Sequence, residues 1–170
     1  GTYVAGPKPQ SAAMEVRSIK AEIEGRGHSY AAKVQILRRE TAGVLEADRL
    51  DLQVGDPIFH SVILHLENDI PIQLEERFVN PKMAPAYLDQ DFTVVTPYDY
   101  LITACPLSEA EHIILAVIPD KQTRDLLAME EGQPCLLLRR RTWSGGIPVT
   151  FALLSHPGDR YRLGARFKGA

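Results

Sequence analysis

His65, Glu75 and Arg77 are the side chains in this sequence whose types and spacing suit joint chemistry. Alternate residues of an extended strand share a face, so His65 lies with Ile63, while Glu75 lies with Arg77 on the next extended run. If those runs pair, an imidazole, a carboxylate and a guanidinium come together across the strands. With Tyr98 and Tyr100 nearby, the group suits a small planar anion, whose carboxylate an arginine takes in bidentate fashion. The alternatives are a solvated strand end for Glu75-Glu76-Arg77 and aromatic core packing for the two tyrosines.

Other chemistries find less support. The sequence contains no G-x-S-x-G, Walker loop, G-x-G-x-x-G or H-E-x-x-H. His60 and His65 resemble a metal pair, but five residues apart on a strand they fall on opposite faces, so no metal site is expected. Cys105 near His112 is read as a small buried hydrophobe rather than a nucleophile. No cofactor motif stands out, and a non-enzymatic binding module is the expectation.

The 170 residues suffice for one core, and the two cysteines form no C-x-x-C pair, so a reducing cytoplasm is expected. The apolar run Ile113 to Ile118 is too short to span a bilayer. A net charge of −3 argues against this chain contacting nucleic acid by itself. Residues 51–100 hold nine acidic and two basic side chains, so the acidity surrounds His65 and Glu75.

An internal repeat places the cluster. Leu50–Leu74 and Leu127–Phe151 align without gaps, with Gly55, Pro57, Ile70 and Pro71 recurring as Gly132, Pro134, Ile147 and Pro148. Each copy reads as a short helix, a Gly-x-Pro turn and a β-hairpin, which predicts one antiparallel sheet from two related halves. Between the hairpins, Thr96 before Pro97 predicts a capped helix over Pro97–Thr103, whose N-terminal amides would suit an anion. Further helices are expected over Met14–Ile23, Gly43–Leu50 and after Asp120, and strands over Ser29–Leu37, Glu111–Ile118 (buried) and Tyr161–Phe167. Gly1–Ala13 has the composition of a linker. The class is α+β, an antiparallel sheet with flanking helices.

Three blocks carry a resemblance: Glu75-Glu-Arg77-Phe-Val-Asn80-Pro81, Ala84-Pro-x-Tyr-Leu-x-Gln-Asp91-Phe92 and Thr96-Pro-x-x-Tyr100-Leu101. They resemble the effector-binding (UTRA) domain of GntR-family regulators in the HutC subfamily. Gly1-Thr-Tyr-Val is similar to the closing strand of the winged-helix domain that precedes such domains, and Gly-Asp159-Arg160-Tyr161-Arg162 to the family's last strand. The resemblance implies a remnant of the wing and linker over 1–13 and a UTRA domain over 14–170, with a chorismate-lyase-like fold. It also implies a homodimer, and operator DNA bound through a missing N-terminal winged-helix domain.

Family members that bind sugar phosphates use two arginines, a glutamate, a Ser or Thr and a tyrosine at positions matching Ile63, His65, Glu75, Thr96 and Tyr161. Ile63 and His65 remove most of that positive charge, which argues against a phosphorylated sugar. The branch governing histidine utilisation responds to urocanate, an imidazole joined to an acrylate. The implied site has Arg77 or the Thr96 helix end on the carboxylate, Glu75 and His65 on the ring nitrogens, and Tyr98, Tyr100 or Tyr161 against the plane. An enzyme on the same fold, a UTRA regulator of another pathway and a purely structural dimerisation module are the competing readings.

Overall fold

The computed structural model describes residues 10–12, 16–166 and 168–169. Gly1–Val4, most of the expected linker, and the ends of the Met14 and Phe167 expectations lie outside them. In chain order the elements are β1 (Gln10–Ala12), α1 (Ile19–Gly25), β2 (Tyr30–Thr41), α2 (Val44–Leu50), β3 (Pro57–Glu67) and β4 (Ile70–Val79). A 3-10 turn (Tyr87–Asp89) follows, then α3 (Pro97–Ala104), β5 (Glu109–Val117), α4 (Lys121–Leu126), β6 (Cys135–Ser144), β7 (Ile147–Pro157) and β8 (Arg162–Gly164).

Six strands form one antiparallel sheet in the order β2-β3-β4-β7-β6-β5, as the α+β expectation requires. The two repeat copies are its two central hairpins. Both turn through two residues with positive φ, Asn68-Asp69 and Gly145-Gly146, the geometry that matches the twist of paired strands. The hairpins meet where β4 pairs with β7, and Glu76 stands opposite Leu153, its own repeat counterpart. A pseudo-two-fold axis therefore passes through that pair and relates Ile63 to Arg140 and His65 to Thr142.

Helices pack on both faces. α2 covers Ile58, Phe78 and Phe151 through Ala47 and Leu50, and the turn after α4 lays Leu127 and Met129 over Val62, Leu64 and Leu74. On the other face the segment between the hairpins forms a roof, with Tyr87, Phe92 and Leu101 packed on Phe59, Ile63 and Val79. Thr96 caps α3 by accepting from the Asp99 N–H at 3.1 Å, and Asp120 caps α4 through Thr123. These caps set where the two helices begin.

Three expectations need correction. β5 is an exposed edge strand, with Ile113, Ile114 and Leu115 each more than a third accessible, because its apolar run has a neighbour on one side alone. The first helix begins at Ile19, since Ser18 caps it by accepting from Ala21 N. Gln10–Ala12, read as linker, pair in parallel with β8, so the final strand forms a separate two-stranded sheet and spans three residues.

Candidate functional site

Strand register carries the site. Ile63 stands opposite Glu75, Ser61 opposite Arg77 and His65 opposite Gln73, so all these side chains rise from the roofed face. His65 is inaccessible to solvent, and Glu75 and Arg77 are each 3% exposed. The solvated-strand-end alternative is therefore excluded.

The three form a connected chain. Tyr30 Oη and His65 Nδ1 lie 2.8 Å apart, His65 Nε2 is 2.9 Å from Glu75 Oε1, and Arg77 Nε donates to Glu75 Oε2 at 2.8 Å. Arg77 also donates to Thr150 Oγ1 at 3.4 Å, and Thr150 bonds Thr142 at 2.7 Å. Burial alone would raise the Glu75 carboxyl, but the Arg77 charge and the His65 hydrogen bond outweigh it and hold the group at about 2. The floor of the site thus carries a fixed carboxylate and a guanidinium already neutralised by it.

The remaining candidates divide. Tyr98 is half-buried and lines a small, partly open hollow with Arg77, Leu101, Thr142 and Trp143. Tyr161 is buried and stacks on His156, ring centroids 3.8 Å apart, at a small neighbouring hollow. Tyr100 instead packs 6.2 Å from the Tyr87 ring, in the aromatic roof. Thr96 joins the roof to α1 through a 3.3 Å contact with Ser18 Oγ, and its hydroxyl already caps α3. The sequence reading missed Tyr30, Gln73, Arg140 and His156. The repeat held a signal for Arg140, which occupies the position in the second copy that Ile63 holds in the first.

His60 faces away, as the five-residue spacing requires. It stacks on Phe78 at 4.5 Å and lies between Glu40 and Glu76. Burial pushes the Cys105 thiol above its ordinary value, which disfavours a thiolate. Among the described residues no group of three His, Cys, Asp or Glu is arranged to hold a metal.

The six strands and the segment roofing one of their faces define an α+β domain built on an antiparallel sheet. The family model for the UTRA domain matches residues 25–162, and the chain belongs to that family. The histidine utilization repressor of Pseudomonas aeruginosa is 52% identical over 167 residues, covering 98% of this chain and 67% of that protein. The crystal structure of the C-terminal domain of histidine utilization repressor from Pseudomonas syringae superposes with a TM-score of 0.81 at 51% identity, covering 83% of this chain and all of that one. PhnF from Mycobacterium smegmatis reaches 0.87 at 18% identity, covering 98% and 75% of the two chains, which shows the shared fold. That fold is chorismate-lyase-like.

Proposed function

We propose that this chain is the ligand-sensing and dimerisation domain of a DNA-binding transcriptional repressor of histidine utilisation genes. Urocanate, or a related imidazole acid, binds over the sheet and releases operator DNA. The observation that carries this reading is the charged floor beneath the roof. Buried ions are expensive unless paired, and these are held in fixed positions beside two cavities. The names and high identity of the relatives supply the pathway.

The site residues take these roles. Tyr98 and Tyr161 provide the rings that pack on the ligand plane, and Glu75 accepts from an imidazole N–H through its remaining lone pairs. His65, with both ring nitrogens engaged, positions Glu75. Arg77 and the Thr96 end of α3 supply positive potential for the carboxylate. Tyr100 supports the roof.

The output is a population shift. Effector binding favours a dimer geometry in which the winged-helix domains, proposed to precede this one, no longer match both operator half-sites. β8 follows Tyr161 directly and pairs with Gln10–Ala12, so a ligand held on Tyr161 bears on the segment leading towards them. Such a regulator works in the cytoplasm; no described helix is long and apolar enough to cross a membrane. By linkage, operator DNA weakens urocanate binding by the same factor that urocanate weakens DNA binding. Isothermal titration of the chain with urocanate is expected to give saturable heat, without turnover of the ligand. The absence of heat at millimolar urocanate would refute the effector assignment.

A further inference from the structure

Arg140 stands in the middle of β6, opposite Ala152, which in turn stands opposite Arg77 on β4. The small Ala152 between them leaves room for both long side chains on the roofed face. Arg140 is 7% exposed, and its Nε donates to His112 Nε2 at 2.9 Å. Among the described residues no carboxylate lies within ion-pair distance of it, whereas Arg77 has Glu75 at 2.8 Å. Burial, with Arg77 adding to it, outweighs the opposing pull of Glu75 and Glu22 and draws the Arg140 pKa down to about 10, which leaves the group charged at neutral pH.

Arg140 lines both cavities: Tyr98 and Thr142 lie on one side, Gln73, His156 and Tyr161 on the other. The His156 ring lies against the Ile72 backbone, whose hydrogen bond favours its charged form. Burial first, then the neighbouring cation, holds that imidazole neutral with a value of about 3. The floor therefore offers a guanidinium that forms no ion pair among the described residues and a neutral imidazole, with Glu75 and Glu22 near enough to favour that cation and to repel a second negative charge.

We propose that Arg140 is the receptor for the effector's carboxylate and makes this site selective for a planar monocarboxylate over a phosphate. The proposal rests on the reading of the chain as an effector-binding domain. It moves the carboxylate from Arg77, which is already paired with Glu75, to a cation that forms no ion pair among the described residues. A ligand carboxylate would complete the fork that His112 leaves open.

Three probes separate this proposal from the urocanate reading: urocanate, its uncharged methyl ester, and cinnamate, which keeps the acrylate but replaces the imidazole. Binding is measured by titration calorimetry and by the shift in melting temperature. The unaltered chain is expected to prefer urocanate to the ester by about 100-fold, and Arg140→Gln to lose both that affinity and the preference. Folding does not obscure the result, because Arg140→Met removes an unpaired buried cation and is expected to raise the ligand-free melting temperature. An Arg140→Gln chain that binds urocanate within about threefold of the original, or still discriminates against the ester, overturns the receptor role alone. Binding of cinnamate but not urocanate, lost in Arg140→Gln, upholds Arg140 and overturns the imidazole reading. If none of the three probes binds the unaltered chain, both fall.

Discussion

Replacing Glu75 by Gln keeps the shape of the side chain and removes the charge that joins His65 to Arg77. Both carboxylate oxygens are engaged, with His65 Nε2 at 2.9 Å and Arg77 Nε at 2.8 Å. Removing one partner of a buried ion pair leaves the other uncompensated, at a cost of about 3–5 kcal/mol. Proton linkage reaches a similar figure independently. A carboxyl that ordinarily titrates at 4.5 is held at about 2, and at about 1.4 kcal/mol per pH unit the difference is worth about 3 kcal/mol. Because the folded-state value is depressed, this stabilisation is complete above 4.5 and is lost as pH falls towards about 2. Urea denaturation followed through the single tryptophan, Trp143, should therefore show Glu75→Gln less stable by about 3–5 kcal/mol at neutral pH. The gap should narrow as the pH falls below 4.5. Adding Arg77→Met should recover much of the loss, since the orphaned cation goes with it. A loss under about 1 kcal/mol at neutral pH, or a gap that stays constant between about pH 5 and about pH 3, would refute the argument.

Three further outcomes are expected. Thr96→Ala removes the cap of α3 and the Ser18 contact and should lower stability by about 1 kcal/mol in the same denaturation assay. Asp69→Gly relieves a left-handed backbone, φ 65°, in the first hairpin turn and should raise the thermal midpoint, equivalent to about 1 kcal/mol. Burial lowers the His60 value, but Glu76 and Glu40 outweigh it and leave the value raised. Its stabilisation is therefore complete below 6.5 and lost as pH rises through the folded-state value. His60→Gln should flatten the stability profile above 6.5, and an unchanged profile would exclude the role.

The repeat made the centre of the fold legible. Gly-x-Pro turns, Ile-Pro strand starts and two-residue loops are local signals, and the hairpins they mark pair as expected. The capped α3 and α4 were legible for the same reason, because an N-cap is decided within four residues. The position of β5 was not, since an apolar run reads alike whether one neighbour or two flank it. The tie between β1 and β8 joins residues about 150 positions apart, beyond the range of any local pattern.

The sequence by itself determined the α+β class, the two hairpins, the parity that puts His65, Glu75 and Arg77 on one face, and the blocks that mark the family. Only the tertiary structure decided that this face is roofed, and so made a buried ion chain of what would otherwise be a solvated strand end. It also separated the arginines. Arg77 is matched by Glu75 two residues away on its own strand, while Arg140, two strands distant, rises beside it with no ion pair among the described residues. Charge compensation depends on distances of a few ångströms between side chains from different strands, and those distances exist only once the sheet has closed its register.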